Sequence, residues 1–537
     1  MTILTAQTDA AVHYESSVGR EAAHGRRGLG VWMLIAAALA AVLAAPFFLV
    51  DTPAVLDYPN HLARLFILAH PNDPVLSRLY APHWRVLPNL GVDVLGAGLL
   101  RLVSPTVGGR ILLALCLLAP FAGVLVYHRA AFQRVSYWPL AAALAAYNGV
   151  FFLGFMNFLL GIGLGLAAAG GWIALRRKGP AWRAPLFGGV ASAVLFLCHI
   201  FGVAYFALLI GCFELSRLDD MRRAKPLHAA ELAGSATLMA LALAPAAALY
   251  LASPTSGAGG LGPWDGTSKL WGLFTPFMLY SRPLTLLTGA VAIAVVILVW
   301  RKAAFAPGVR TALILLATLY VLAPTGFKGG TFIDTRLALM MGLLLFAGID
   351  PDLPRRRIPL FGLAIGALVL LRAGSVAAAW TDHRGDLDQV RAAIAPVQPG
   401  ARVLVVQGDA SGRTDISVPA RALPGLYRLD GHLGALLVTE RRAFWPLLFA
   451  DPNQQPVVVR PPYSDIAQPL GDLVGWDALR PAEPTPQTLA AARYLRYWRT
   501  RFDYVLLLDA GGAKGPVPSG LAAVRVTPYA ALYRVEG

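Results

Sequence analysis

Charged residues are scarce in this chain. Aspartate, glutamate, lysine and arginine make up 14% of its 537 residues, whereas a soluble domain usually contains about 25%. Cysteine is rarer still, and the three cysteines lie inside apolar runs, so no disulfide or metal framework built on cysteine is implied. Neither a Walker A loop nor a Gly-x-Gly-x-x-Gly turn after a predicted strand occurs, which leaves nucleotide chemistry without support.

Hydrophobic residues, in contrast, account for 57% of the chain and are gathered into long runs. Most runs are long enough, singly or as hairpins, to cross about 30 Å of hydrocarbon. In lipid such runs must be helical because their backbone polar groups find no water there. The sequence therefore predicts an α-helical polytopic membrane protein with about eleven transmembrane helices. The apolar runs lie near 31–50, 111–127, 151–175, 184–218, 229–252, 284–300, 311–323, 337–349 and 358–380. The stretches 137–175 and 184–218 are too long for one helix each and are interpreted as hairpins of two helices, which raises the nine runs to about eleven crossings.

The formal net charge of +16 is explained by lysine and arginine at the helix ends, which set the orientation of membrane helices. No basic stripe with interleaved aromatic residues is present, so nucleic acid is not expected as a partner. The first run follows Arg26 and Arg27 and lacks a clear small-residue cleavage site, which favours a retained first helix over a removed signal peptide. We expect a multi-pass protein of the bacterial inner membrane, with a cytoplasmic N-terminus and a periplasmic C-terminus.

One segment does not fit a simple alternation of crossings. Residues 88–104 are apolar but short, and they include Asp93 and Arg101. Counting them as a crossing would place Arg129 and Arg134 outside and reverse every later loop. The segment is therefore interpreted as a helix that lies along the outer membrane surface.

The composition changes after Trp380. Short β-branched runs, such as 402–407, 456–460, 504–509 and 531–535, alternate with the helical stretches 386–396 and 487–502. This pattern predicts an α/β domain outside the membrane. The predicted layout is a cytoplasmic tail over 1–28, a transmembrane domain over 29–380 with an outer loop at 51–109, and a periplasmic α/β domain over 381–537.

The outer loop carries the residues that most suggest chemistry. It contains Asp57, followed by His61 and Arg64 one and two turns later if the segment is helical, so that all three line one face. A carboxylate there can accept a proton from a hydroxyl or hold a divalent cation beside a phosphate. The competing interpretation is that Asp57 caps a helix that has Pro59 in its first turn.

These features resemble the GT-C superfamily of membrane glycosyltransferases, which includes protein O-mannosyltransferases and the aminoarabinose transferases of lipid A. The resemblance lies in Asp57 after the first helix, in the segment 87–104, and in the span that opens at Arg110. It covers residues 29–380 as architecture. Tyr58 follows Asp57 where the mannosyltransferases have a paired Asp-Glu, and the usual Pro-Pro before the surface helix is missing, so the sugar and acceptor stay open.

The resemblance implies a sugar donor carried on a polyprenyl phosphate, an inverting displacement at the sugar, and an acceptor in the cell envelope. Asp57 would be the general base or the holder of a divalent cation, and membrane lipids would surround the protein. Cations near the donor phosphate are also needed. Their candidates are the basic residues of the outer loops: Arg64, Arg85, Arg110, Lys269, Arg282, Lys328 and Arg336.

Several polar residues have both a functional and a structural interpretation. His199 lies at a predicted helix turn, where a lone histidine is usually a satisfied core residue. His83 and Arg85 flank a tryptophan that suits sugar stacking or simple anchoring at the interface, and Asp265 follows another tryptophan. Arg336 is costly to bury at the start of a span, which favours function over an ordinary surface charge pair with Asp334. The predicted binding set is His61, Arg64, His83, Arg85, His199, Asp265, Lys269, Lys328 and Arg336.

Two other classes of function compete with a transferase. A transporter or flippase would place broken helices and charges at mid-membrane, often in inverted repeats, whereas this chain concentrates polar residues in its outer loops. A non-enzymatic assembly protein would use the C-terminal domain to bind an envelope partner. Replacing Asp57 by asparagine separates an enzyme from a scaffold.

Overall fold

The computed structural model describes residues 28–257, 260–327, 330–351, 353–408, 420–423 and 427–536. The predicted cytoplasmic tail, apart from its last residue, lies outside these described residues. The helices in chain order are α1 Gly28–Phe48, α2 Tyr58–Ala69, α3 Leu76–Leu79, α4 Gly91–Leu99, α5 Pro105–Phe132, α6 Gly149–Leu153, α7 Met156–Lys178, α8 Arg183–Cys198, α9 Ile200–Ala224, α10 Ala229–Ala252, α11 Gly266–Gly272, α12 Arg282–Trp300, α13 Val309–Leu322, α14 Ile333–Gly348, α15 Ile358–Ile394, α16 Leu436–Arg441, α17 Pro486–Ala491 and α18 Trp498–Arg501.

Seven of these helices are long and apolar enough to cross a membrane, namely α1, α5, α7, α9, α10, α12 and α15. Three shorter apolar helical segments accompany them: Trp138–Leu153, which includes a 3-10 helix and α6, together with α8 and α13. Helix α14 is apolar beyond Arg336 and packs in the same bundle against α5 and α13. Within the described part of the chain these segments number eleven, but only seven have full crossing length, so the predicted count of eleven crossings requires the four shorter segments to cross as well.

Close backbone contact holds two of the long helices together. A Cβ on Gly123 of α5 would lie 2.2 Å from the carbonyl oxygen of Gly163 in α7, so only glycine fits at this crossing. Small residues at such crossings let membrane helices pack without side chains between them. At the end of the same pair, Arg177 donates hydrogen bonds to the carbonyls of Ala130 and Ala131, 2.8 and 2.7 Å away.

Helix α4 has nine residues and is therefore only about 14 Å long, too short to cross a membrane. It lies across the ends of other helices. The amide of Leu90 donates to the carbonyl of Leu197 at the end of α8, 2.7 Å away. The amide of Val92 donates to Asn157 Oδ1 at the start of α7, 2.8 Å away. The segment thus covers one end of the bundle, as expected for a helix that does not cross.

The C-terminal part contains a five-stranded mixed sheet. It is formed by five of the strands in the described chain. All of these strands, in chain order, are β1 Tyr80–Pro82, β2 Ala303–Phe305, β3 Gly326–Phe327, β4 Gly330–Thr331, β5 Ile349–Pro351, β6 Val403–Gln407, β7 Ala422–Leu423, β8 Tyr427–Arg428, β9 Val457–Val459, β10 Val474–Gly475, β11 Tyr504–Leu508, β12 Leu521–Val526 and β13 Ala530–Val535. The sheet order is β10-β6-β11-β13-β12, in which β6 is parallel to β10 and β11, and β13 is antiparallel to β11 and β12. Strands β6 and β11 are buried throughout, as their continuous apolar sequences predict.

The bundle and the sheet are joined at two places. Helix α15 continues without interruption from the membrane segment to Ile394 and packs against β11, β12 and β13, so the predicted boundary at 380 falls inside one helix. Strand β1 of the outer loop pairs antiparallel with β9, Tyr80 opposite Val459. The predicted fold class is confirmed as an α-helical polytopic membrane protein with a C-terminal α/β domain. The helical stretch predicted over 487–502 is divided into short helices, because Ala492 after α17 and Tyr497 before α18 leave the helical backbone conformation, with φ of −135° and 57°.

Candidate active site

A cavity of about 870 Å³ lies where the outer loop, the bundle ends and the C-terminal domain meet. Asp57 lines it from the outer loop, His199 and Arg336 from the ends of membrane helices, and Tyr427 and His432 from the C-terminal domain. Concave sites of this size that carry a few convergent polar groups are the usual places for small-molecule binding. The cavity is therefore the candidate site.

Asp57 occupies the N-cap position of α2, yet its side chain caps nothing. The capping interpretation of Asp57 is therefore wrong, although Pro59 does stand in the first turn as predicted. Its carboxylate Oδ1 instead lies 3.1 Å from His432 Nδ1, and its side chain is 13% exposed. Among the described residues it forms no other ion pair or hydrogen bond. Because the carboxylate of Asp57 stabilises no helix and has a single partner in the described structure, it is free to act on a ligand.

The backbone of Asp57 is held by the loop that follows α6. Its amide donates to the carbonyl of Leu153, 3.2 Å away. Gly154 has φ of +89°, and a Cβ there would lie 2.7 Å from the Cβ of Asp57 and 2.8 Å from its amide nitrogen. The close approach and the left-handed backbone both require glycine at this position.

Gly154→Ala is therefore expected to displace Asp57 and to lower any turnover that depends on this carboxylate about a hundredfold, the effect of an error of about 1 Å in the position of a reacting group. Gly98→Ala is the matched control, because Gly98 is an exposed residue of α4 with no atom within 4 Å of an added Cβ. Turnover and thermal stability of both variants measure the effect. Equal turnover in the two variants would show that the position of Asp57 does not matter.

Arg336 is the basic residue most available to an anionic ligand. Only 8% of it is exposed, and its guanidinium lies over the rings of Phe155 and Phe158, 4.3 and 5.3 Å from their centroids. Its Nη1 is 3.0 Å from His199 Nε2, and its Nε has no hydrogen-bond partner. No ion pair joins it to Asp334 in the described structure, so the surface charge pair considered from the sequence is not formed.

Arg336 and His199 face each other with two hydrogen-bond donors and no acceptor between them. His199 caps α9, because its Nδ1 accepts from the amide of Phe201, 3.1 Å away. A neutral imidazole accepts at one nitrogen only and carries a hydrogen on the other. If Nδ1 is the acceptor, Nε2 bears the hydrogen, so Arg336 and His199 present donor to donor. An anion in the cavity would satisfy both groups.

Arg64 and His61 line the same cavity from α2. Arg64 forms a buried, two-point ion pair with Asp93, with nitrogen–oxygen distances of 2.7 and 3.1 Å. Its Nη1 nevertheless has no partner. Burial, reinforced by the charge of Arg64, holds the pKa of His61 well below its usual value. His61 is therefore neutral at physiological pH, and the positive charge of this wall belongs to Arg64.

Asp265 also lines the cavity, but its carboxylate is occupied. It caps α11 by accepting from the amides of Thr267 and Ser268, 3.0 and 3.2 Å away. Lys269, the residue after Ser268, does not line the cavity, and its Nζ donates a hydrogen bond to the carbonyl of Ala323, 2.6 Å away. Its Nζ also lies 3.6 Å from Asp334. Both residues shape the helix that borders the cavity.

The remaining predicted residues do not join this group. His83 and Arg85 are exposed and lie outside the cavity lining, next to the β1–β9 pair. Arg110 donates to the carbonyls of Phe47 and Val50 and closes the end of α1. Arg282 stacks over Trp271, 4.7 Å from the ring centroid. Lys328 lies outside the described residues.

The C-terminal domain contributes residues that the sequence did not indicate. Tyr427, His432, Phe449, Gln455 and Asp472 all line the cavity. They are far from Asp57 in sequence and belong to no recognisable motif. The one local feature that could have drawn attention to His432 is its place between Gly431 and Gly434. The structure brings Asp57, His61, Arg64, His199, Asp265 and Arg336 of the predicted set together and adds His432.

The described part of the chain presents no preformed metal site at Asp57, and a divalent cation there stays a prediction. No group of three or more histidine, cysteine, aspartate or glutamate residues able to hold a metal ion occurs in that part of the chain. Asp57 is accompanied by a single imidazole, so a divalent cation held there would take its other ligands from a bound phosphate and from water.

Comparison with known proteins gives a match among solved structures. No family model matches the chain, and no curated protein matches it. Among solved structures, the chain is similar to ArnT from Cupriavidus metallidurans in the apo state, with a TM-score of 0.47 and 11% sequence identity over 94% of this chain and 98% of that one. The comparison says nothing about the cavity, so its chemistry is argued from the residues that line it.

Proposed function

We propose that the protein is a membrane glycosyltransferase of the GT-C type, which transfers a sugar from a polyprenyl-phosphate donor to an acceptor outside the membrane. One observation carries this proposal: a carboxylate without a structural role and an arginine with unused donors line the same cavity. The first group suits a general base, and the second suits a phosphate. A transporter would not require the base.

The reaction follows from these two groups. A hydroxyl or amine of the acceptor attacks the anomeric carbon, and its proton passes to the carboxylate of Asp57. The new bond forms as the bond between that carbon and the phosphate oxygen breaks. The electron pair leaves with the phosphate, whose developing charge is stabilised by Arg336 and by the N–H of His199. Donors already placed where charge develops stabilise such a transition state most effectively.

This reaction requires no step through a metal ion. Because Asp57 lies beside one imidazole only, we assign the carboxylate to proton transfer and not to metal binding. The charge of the donor phosphate is met by Arg336 and by the unpartnered Nη1 of Arg64. Arginine is suited to this task because its guanidinium remains charged and presents several donors in one plane.

An apolar rim supports a lipid carrier for the sugar. Leu261, Trp264, Leu270 and Leu273 are 75%, 59%, 72% and 49% exposed, and they surround cavity-lining residues of the segment 262–272. Large exposed apolar side chains that cluster beside a binding site usually mark contact with lipid or a partner. We place the polyprenyl tail along this rim and the cavity on the outer face of the bacterial inner membrane.

The phosphate assignment is tested with Arg336→Lys. Lysine keeps the charge but loses the planar set of donors, so binding of polyprenyl phosphate is expected to weaken about 10- to 100-fold. Thermophoresis of the purified protein in detergent measures this affinity. The control is Arg496→Lys, an exposed position in the C-terminal domain outside the cavity. Unchanged affinity in the Arg336 variant would contradict the assignment.

A further inference from the structure

We infer that the C-terminal domain forms part of the active site, because its His432 positions the carboxylate of Asp57. The chemical role of the pair rests on the proposed function, whereas the contact itself does not. His432 is a positioning residue in this assignment, since it acts through Asp57 and not on the sugar. The C-terminal domain thereby gains a specific role in the reaction.

His432 is the partner that the rest of the structure does not supply. The Asp57 carboxylate contacts no other charged or hydrogen-bonding side chain among the described residues, and the two side chains are 13% and 17% exposed. Without His432, rotation about the side-chain bonds of Asp57 would be restricted only by packing and by the more distant charge of Arg336. The direction in which Asp57 accepts a proton therefore depends on a residue 375 positions later in the chain.

The contact is an electrostatic one. The distance from His432 Nδ1 to Asp57 Oδ1 is 3.1 Å, but the N–H direction departs from the line between them, so Nδ1 makes no hydrogen bond. Such a contact can tighten into a hydrogen bond when a ligand enters, as catalytic contacts commonly do. The present approach leaves the carboxylate oxygens of Asp57 accessible to an acceptor.

Two aromatic rings fix the orientation of His432. The ring of Phe449 lies edge-on at 5.1 Å between centroids, and that of Trp445 at 6.1 Å. Geometry of this kind is favourable and directional. The imidazole is thereby held by the same segment of the C-terminal domain that lines the cavity.

That segment is also tied to α2, the helix that begins directly after Asp57. The amide of Phe449 donates to Asn60 Oδ1, 2.7 Å away, and Asn60 Nδ2 donates to the carbonyl of Leu447, 3.1 Å away. Asn60 is fully buried. The two hydrogen bonds give Asp57 and His432 one common frame, so the pair is built into the fold and is not a chance contact between two surfaces.

The test compares His432→Gln, His432→Gly and the control His70→Gln, whose histidine lies in the outer loop but outside the cavity lining. In His432→Gln we expect kcat for release of polyprenyl phosphate to fall about 10- to 100-fold, with KM for the donor unchanged, because misplacement of the base affects the chemical step. Added imidazole is expected to restore part of the activity of His432→Gly. Thermal stability should match that of the control.

A second readout separates this inference from the proposed function. The infrared band of the Asp57 carboxylate is obtained as the difference between the wild-type protein and Asp57→Asn, and it is measured again on the His432→Gln background. A shift of that band shows that His432 acts on the carboxylate, even if no donor is turned over. Wild-type-like kcat in His432→Gln, or an unshifted band, would overturn the inference. Absence of turnover in the wild-type protein with every donor would overturn the proposed function alone.

Discussion

Replacement of Asp57 by asparagine is expected to lower sugar transfer about 100- to 10,000-fold, the range of a general base. Asparagine has nearly the same shape but cannot accept the proton of the acceptor. The variant should remain folded, because the Asp57 side chain caps no helix and its backbone hydrogen bonds to Leu153 and His61 are unaffected. Release of polyprenyl phosphate is the measurement of choice, since it is common to all donor sugars.

Binding separates the base from the phosphate site. Asp57→Asn should bind polyprenyl phosphate as tightly as the wild-type protein does, whereas Arg336→Lys should lose affinity. A matched control is Asp477→Asn, which changes an aspartate of the C-terminal domain outside the cavity lining. A scaffold protein would tolerate the Asp57 change, and a flippase would continue to move lipid. Transfer at the wild-type rate in Asp57→Asn would rule out the proposed reaction.

Hydropathy predicted the helical bundle well, because an apolar run in a bilayer can satisfy its backbone hydrogen bonds only as a helix. Each run must become a helix, and the basic residues at its ends decide its direction. The interpretation of 88–104 as a non-crossing segment followed from the same constraint, since Arg129 and Arg134 could not both lie outside. The assignment of Asp57 to the outer side rests on the same constraint and stays a prediction.

The hydrogen-bond partner that each polar side chain takes could not be predicted in the same way. Asp57 and Asp265 both stand at the N-cap of a helix that follows an outer loop. Asp265 caps its helix, while Asp57 leaves its helix uncapped and turns to a histidine from another domain. Local sequence favours capping equally in both cases. The difference arises from tertiary contacts, above all Gly154 behind Asp57 and His432 in front of it.

His432 shows the same limit more clearly. A lone histidine in a turn has no distinguishing pattern, and the pairing of β1 with β9, which joins the outer loop to the C-terminal domain, depends on two three-residue strands. Such short strands give almost no periodic signal. Cavities that several distant segments build together therefore emerge only from the folded chain.

Removing the partner of Arg64 is expected to cost the most stability. Arg64 and Asp93 have side chains that are 0% exposed, and their closest atoms lie 2.7 Å apart. Burial raises the pKa of Asp93 while the charge of Arg64 opposes that rise. Asp93→Leu would leave the arginine charge buried and unpaired, which typically costs about 3–5 kcal/mol. The thermal unfolding midpoint in detergent should fall steeply.

The double variant Arg64→Met with Asp93→Leu should recover most of this loss, because replacing a buried ion pair by apolar residues is often neutral. The control removes the exposed pair Asp219–Arg222, where a change of under about 1 kcal/mol is expected. If the double variant is stable but binds polyprenyl phosphate more weakly, the pair is kept for its unpartnered Nη1 in the cavity. If it is stable and binds normally, Arg64 has no part in phosphate recognition, and Arg336 with His199 forms the whole anion site.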